Sequence, residues 1–273
     1  MPSRAIAIEP LTGVIGAEVG NVSLALPLET EVYGEIREAL NKYGVIFFRD
    51  QDINVEQYRY FAERFGTLTI SPSTPAVAGF PQVAEIRKEP QDRDNIGGDW
   101  HTDQADRPNP IMGTMLLAME IPASGGDTLF ANMAAAYDAL SPGLQATLSG
   151  MRAIHSHDYL MAQSKSQSGD MKIIPTAKSG QCSTHPVVIE HPETGRKVLY
   201  VNPGYTYQFE GWTRAESRPL LEHLFRQALQ PEFTCRFRWR QHSLAFWDNR
   251  QTWHYAVNDY HGQRRLMYRI MVT

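Results

Sequence analysis

Two distant stretches of this 273-residue chain must meet in the fold if the side chains they carry are to act together. The first is Trp100-His101-Thr102-Asp103, preceded by Gly97-Gly98. The second is Trp247-Asp248-Asn249-Arg250-Gln251-Thr252-Trp253-His254. On an extended backbone residues i and i+2 lie on one side, so His101 and Asp103 can offer an imidazole nitrogen and a carboxylate oxygen to one point. His254 supplies a third group. Two neutral imidazoles and one carboxylate on one face of a divalent ion suit non-haem Fe(II) and leave its other coordination positions open. A metal centre of His101, Asp103 and His254 is the expectation.

The end of the chain favours His254 over the other histidines. Residues 265–272 alternate, with Arg265, Met267, Arg269 and Met271 on one face and Leu266, Tyr268, Ile270 and Val272 on the other. Two arginines on one strand face, roughly 13 Å apart at the usual rise, are costly to bury unless an anion meets them. The planar guanidinium fork grips a carboxylate or sulfonate through two parallel hydrogen bonds. Arg264 has the opposite parity and no such role. The pattern alone leaves open an exposed edge strand whose arginines face water. His155 and His157, also two apart, sit in a polar stretch and read as solvated loop residues. His185, His191, His223, His242 and His261 read as surface or hydrogen-bonding residues.

Composition narrows the partners. A net charge of −4 gives no basic footprint for nucleic acid. Two cysteines, Cys182 and Cys235, build no disulfide framework and point to a reducing compartment. No apolar run is long enough for a signal peptide or membrane span. A soluble, cytoplasmic protein without nucleic-acid or membrane partners is expected, as a homo-oligomer acting on a small molecule.

Strands are expected at 5–8, 13–19, 45–48, 82–86, 112–119, 128–130, 234–239, 244–247 and 266–272, with a hairpin joining 187–189 to 198–201. A helix capped by Thr30 ends at Gly44, and another opens on the Asn54/Gln57 capping box and stops at Gly66. Asn132 and Ser141-Pro142 mark two short helices. Thr213 with Glu216 opens a longer one, in which Pro219 requires either a start nearer Ser217 or a kink. Residues from about 155 to 183 are polar with little periodicity, and such a stretch forms a lid over the site or a mobile surface insert. With no repeat or linker in view, residues 1–273 read as one domain. It is mainly β with flanking helices, a two-sheet roll with the helices packed outside.

The ordered motifs carry a resemblance. Pro10-Leu11-Thr12-Gly13, Gly16-Ala17-Glu18, Phe48-Arg49-Asp50-Gln51, Phe65-Gly66, Trp100-His101-Thr102-Asp103, Gly125-Gly126-Asp127-Thr128, His185-Pro186-Val187-Val188, Trp247-Asp248-Asn249 with His254, and Arg265 with Arg269 follow one another at family spacing. The chain resembles the taurine dioxygenase/2,4-dichlorophenoxyacetate dioxygenase family of Fe(II)- and 2-oxoglutarate-dependent oxygenases. The resemblance implies a double-stranded β-helix (jelly-roll) core, with Fe(II) held by His101, Asp103 and His254 and O2 as cosubstrate. It implies that Thr128 and Arg265 bind the distal carboxylate of 2-oxoglutarate, and that Arg269 anchors the anion of the primary substrate. Decarboxylation to succinate and CO2 then generates an oxidant that takes hydrogen from a nearby C–H. Asp103 argues against the halogenating branch, which lacks this carboxylate.

Substrate choice departs from the taurine-acting members. Where they carry histidine, tyrosine and asparagine, this chain has Ser71, Thr74 and Gly97, so taurine fits poorly. The expectation is hydroxylation of a small anionic organic molecule (a sulfonate, sulfate ester or aryloxyalkanoate) next to its heteroatom, with bond cleavage following. A hydroxylase or desaturase of an amino-acid-like or other carboxylate metabolite is the alternative within the family. Outside it stand a zinc hydrolase, which would need a general base but no paired arginines, and a metal-stabilised β-roll binding module. The module would call for a closed set of four protein ligands.

Overall fold

The computed structural model describes residues 6–71, 74–167 and 180–273. At its start β1 (Ala7–Pro10) pairs antiparallel with β2 (Ala17–Gly20), slightly offset from the strands expected at 5–8 and 13–19. Residue 5 lies outside the described residues. Helix α1 (Thr30–Tyr43) turns Tyr33, Ile36, Ala39 and Leu40 inward. Its cap is Glu29, which holds the extended conformation without a side-chain bond, so Thr30 is the first helical residue rather than the cap. Gly44, at φ +72, ends the helix where an L side chain would be strained. The wholly buried β3 (Val45–Phe48) follows.

Asn54 and Gln57 close the expected capping box on α2 (Val55–Glu63), which stops three residues short of Gly66. Then come β4 (Ala76–Val77), β5 (Phe80–Lys88), β6 (Gly113–Glu120) and β7 (Thr128–Asn132). Asn132 and Ser141 cap α3 (Met133–Asp138) and α4 (Pro142–Leu148) with their side chains.

The polar stretch is more ordered than its sequence suggests. β8 (Arg152–Ser156) runs into α5 (His157–Gln167), and β9 (Cys182–Pro186) pairs back onto β8. The middle of the expected lid, residues 168–179, lies outside the described residues. His155 and His157 are buried, not solvated. His155 stacks edge-on against His185 and accepts or donates a bond with Thr206 Oγ1 at 3.1 Å. Period counting missed this because β8 and β9 are short and draw on Ser, Thr and His.

Beyond it lie the hairpin β10 (Val188–Glu190) and β11 (Lys197–Leu199), then β12 (Thr206–Phe209) and α6 (Arg214–Ala228). Helix α6 starts at Arg214 from the Thr213/Glu216 box and runs through Pro219, so the later start near Ser217 is not what occurs. The Ser217 hydroxyl instead donates to the Thr213 carbonyl at 2.8 Å and accepts the Phe209 N–H. Last come β13 (Thr234–Phe237), β14 (Leu244–Asp248), β15 (Thr252–Ala256) and β16 (Arg265–Val272).

Eight strands among the described residues form one sheet in the order β1-β2-β3-β14-β6-β16-β5-β4, and β13-β7-β15 form a second. Between them lies a core of Phe47, Leu116, Ala118, Phe130, Phe237, Ala245, Trp247 and Met267. Phe47 stacks on Phe237 with ring centres 3.9 Å apart. Burying one such ring contributes about 2–3 kcal/mol. The opposite face of the large sheet packs Met115, Leu117, Phe246, Ile270 and Val272 against α1 and α2. This is the jelly-roll core with helices outside. Met267 and Ile270 fall in different cores, as the alternation of β16 requires. Among the described residues no helix is long and apolar enough to cross a membrane.

Candidate metal centre

His254 sits on β15, and His101 belongs to the segment beside it. The two histidines exchange backbone hydrogen bonds, His101 N–H to His254 O at 3.1 Å and His254 N–H to His101 O at 2.8 Å. This isolated bridge joins the two distant stretches and sets their rings 4.1 Å apart. Asp103 Oδ1 lies 3.7 Å from His101 Nε2 and 3.9 Å from His254 Nε2. The three ligand atoms lie within 4.8 Å of one another, and all three residues are buried.

Protonation favours metal binding. The His101 Nδ1–H donates to the Asp99 carbonyl at 2.6 Å, which turns Nε2 toward Asp103. Burial, with the neighbouring His101, pushes the His254 imidazole down to about 3, so it is neutral near pH 7. Burial alone would raise the Asp103 carboxyl, but His254, His101 and Arg269 outweigh it and hold the group well below the usual carboxylate range. Two imidazole nitrogens and one carboxylate oxygen facing one gap are a donor set that fits a first-row divalent ion.

The arginines behave as the alternation of β16 predicts. Arg265 is buried, and its Nε and one terminal nitrogen have no hydrogen-bond partner among the described residues. Burial pushes its guanidinium down, against the pull of Tyr260 and Asp127. Trp239 joins it to Thr128: the indole ring lies 5.8 Å from the guanidinium, and its N–H donates to Thr128 Oγ1 at 2.9 Å. Arg269 also has a buried Nε without a described partner, and its charge acts on Asp103 and His254. Arg264 points away and bonds Glu120 at 2.7 Å. A buried guanidinium with free donors costs several kcal/mol unless an anion meets it.

Gly97 lies against the site. A Cβ there would approach His101 Cε1 to 3.3 Å at a backbone φ of +85, so a larger residue would push the imidazole. The Ser71 hydroxyl donates to Thr74 Oγ1 at 3.0 Å. Gly97 thus lies beside the triad, and the described bond of Ser71 and Thr74 is to each other. Trp100 and Tyr255, next to the ligand histidines in sequence, line a separate cavity of about 410 Å3 with Phe225 and Arg226. In extended segments such neighbours point the other way.

Thr114 and Asn249 were missed as site residues from sequence. The Thr114 hydroxyl donates to Asp103 Oδ2 at 2.7 Å, and the Asn249 amide donates to Thr114 Oγ1 at 2.8 Å. One signal was available: Thr114 is a lone hydroxyl inside the apolar run 112–119.

The family model described as taurine catabolism dioxygenase TauD, TfdA family matches residues 7–271. An alkylsulfatase of Acinetobacter baylyi is 34% identical over 278 residues, spanning 100% of this chain and 86% of that enzyme. An alpha-ketoglutarate-dependent sulfate ester dioxygenase of Pseudomonas putida is 33% identical, spanning 97% of this chain and 89% of that one. The crystal structure of AAD-2 in complex with Mn(II) and N-oxalylglycine matches with a TM-score of 0.86 at 30% identity, covering 98% of this chain and 97% of that one.

Proposed function

The chain belongs to the TauD, TfdA family of alpha-ketoglutarate-dependent dioxygenases, and from that premise we propose that it cleaves small organic sulfate esters by hydroxylating the carbon that bears the ester oxygen. As an enzyme of this family it uses Fe(II), 2-oxoglutarate and O2. When bound, iron and 2-oxoglutarate supply the oxidising power, and the protein supplies binding, orientation and shielding. His101 Nε2, Asp103 Oδ1 and His254 Nε2 are the atoms that hold the metal. Arg265 and Thr128 take the distal carboxylate of 2-oxoglutarate, and Trp239 keeps the two together. Arg269 takes the substrate's sulfate.

One observation carries the substrate assignment: the Arg269 Nε, buried, without a described partner, and close enough to the triad to act on Asp103 and His254. An anionic head held there places the adjoining carbon toward the ligand atoms. A sulfate monoester presents such a head, and enzymes named for that chemistry are about one-third identical to this chain along nearly its whole length. The hydroxylated carbon then carries both OH and sulfate. Its C–O bond to sulfate breaks, the hydroxyl proton leaves, and an aldehyde and inorganic sulfate result.

The test is paired detection of succinate and inorganic sulfate with Fe(II), 2-oxoglutarate and air, across alkyl sulfates, sulfonates, aryloxyalkanoates and amino acids. Equimolar succinate and sulfate from an alkyl sulfate is the expected result. Tight coupling to an aryloxyalkanoate or amino acid, with alkyl sulfates inert, would refute the assignment.

A further inference from the structure

Asn249 and Thr114 form a chain of hydrogen bonds whose directions are forced. The Trp247 indole can only donate, and its Nε1–H lies 3.0 Å from Asn249 Oδ1. The Asp103 backbone N–H donates to the same oxygen at 3.2 Å. That oxygen is therefore the acceptor end of the Asn249 amide, and Nδ2 must donate; its partner is Thr114 Oγ1 at 2.8 Å. An ionised carboxylate can only accept, so the Thr114 hydroxyl turns its one hydrogen to Asp103 Oδ2 at 2.7 Å. The Thr102 hydroxyl pins the same loop by donating to the Asn249 carbonyl at 2.6 Å. Thr102, Thr114, Trp247 and Asn249 are all buried. Among the described residues Oδ1 faces the two imidazoles, at 3.7 and 3.9 Å.

We infer that Thr114, oriented by Asn249, is a positioning residue that occupies Asp103 Oδ2 so that the carboxylate offers the metal Oδ1 alone. The consequence lies in how many coordination positions the protein consumes. A carboxylate gripping a divalent ion with both oxygens would take four positions together with the two histidines. Held by Thr114, it takes one, and the protein takes three. Chelation by a 2-oxo acid needs two of the remainder and O2 one more, so the hydroxyl of Thr114 keeps room for both. This inference rests on the reading of His101, Asp103 and His254 as the metal ligands. It differs from the usual role of an outer partner, which is to raise metal affinity.

The two roles separate on Mn(II)-loaded protein without turnover. Mn(II) affinity is read by electron paramagnetic resonance, and 2-oxoglutarate affinity by calorimetry on the loaded protein. In Thr114→Val, which keeps the shape and removes the hydroxyl, Mn(II) affinity is expected to stay of the same order. Affinity for 2-oxoglutarate falls roughly 10- to 100-fold, the size of one lost hydrogen bond to a charged group, and Thr114→Ser restores it. Unchanged 2-oxoglutarate affinity in Thr114→Val, or a loss that Thr114→Ser does not rescue, overturns the inference. So does a loss confined to Mn(II) affinity. Wild-type protein that binds neither Mn(II) nor 2-oxoglutarate overturns the ligand reading beneath it.

Should Thr114→Val not fold, infrared difference spectra of wild-type protein with 13C-labelled aspartate carboxylates decide the matter. A wide splitting between antisymmetric and symmetric carboxylate stretches on Mn(II) addition marks one-oxygen ligation and supports the inference. The narrow splitting of two-oxygen chelation overturns it.

Discussion

Asp248 and Asp103 are both buried aspartates on segments that meet near β14, and the fold treats them differently. Each oxygen of Asp248 is matched. Oδ2 faces His191 Nε2 at 2.8 Å and accepts from an Arg250 terminal nitrogen at 2.6 Å, while Oδ1 accepts the Arg250 backbone N–H and Nε. His191 Nδ1 accepts the backbone N–H groups of Glu193 and Thr194, so its Nε2 carries the proton and donates. Arg250 reaches on to Glu193, which also accepts from Arg37 and Asn41. Around Asp103 the pattern is broken. Among the described residues Oδ1 has no donor within hydrogen-bond distance, His254 Nδ1 has no partner, and Arg269, whose charge reaches Asp103, keeps an Nε without one. A buried polar network that is complete serves the fold, whereas one left open is built for something that arrives.

The contrast can be broken by mutation, and the largest effect belongs to the complete network. Asp248→Ala leaves a buried imidazole and guanidinium without their acceptor and is expected to cost about 3–5 kcal/mol of unfolding free energy, measured by urea titration. Asp103→Asn keeps the shape and the Thr114 contact. It is expected to cost less apo stability than Asp248→Ala while abolishing Fe(II) binding. Equal destabilisation by both would erase the distinction.

Arg265→Ala comes next. Losing a charge-assisted pair should weaken 2-oxoglutarate binding by about 2–3 kcal/mol, read by calorimetry on metal-loaded protein, and unchanged affinity would remove Arg265 from the site. Arg269→Ala should spare 2-oxoglutarate and weaken binding of the sulfated substrate by about tenfold or more. Persistence of substrate-stimulated succinate release at low alkyl sulfate would contradict it.

The smallest effect is on pH dependence. Despite partial burial, hydrogen bonds from Arg37, Arg250 and Asn41 bring the Glu193 carboxyl down to about 2. Because the folded value is depressed, the stability Glu193 lends is complete above the ordinary carboxylate range and is lost as pH falls toward 2. Asp248 acts in the same direction, lowered by Arg250 and His191 against its burial. Glu193→Gln should therefore flatten the acid limb of Tm against pH between about 2 and 5 and leave Tm at pH 7 slightly reduced. An unaltered acid limb would show that Glu193 contributes nothing.

Much of the scaffold was legible because local physics dictated it. The capping boxes at Asn54/Gln57 and Thr213/Glu216 and the alternation of β16 need only neighbours in sequence to operate. The triad was legible for a similar reason, since His-x-Asp on extended backbone fixes its own geometry, and the ordered motifs singled out His254. At the described ends of the stretch from about 155 to 183 the expectation of unpaired, solvated chain fails, because tertiary pairing, not periodicity, makes β8 and β9, and because His155 is buried by its partners rather than by its own polarity. The Thr114–Asn249 chain escaped notice because it joins residues 135 positions apart through side chains alone. Ser71 and Thr74 were placed by analogy with the taurine-acting members, and their described bond is to each other.

What sets Asp103 apart from Asp248 is that its open network takes a metal together with a 2-oxo acid. The direct measurement is the visible absorption spectrum during anaerobic titration of the apo protein with Fe(II) and then 2-oxoglutarate, with Asp103→Asn and Asp248→Asn alongside. A weak charge-transfer band that saturates at one equivalent in wild type, persists in folded Asp248→Asn and is missing from Asp103→Asn is the predicted result. A band that survives in Asp103→Asn, or none in wild type, would contradict it.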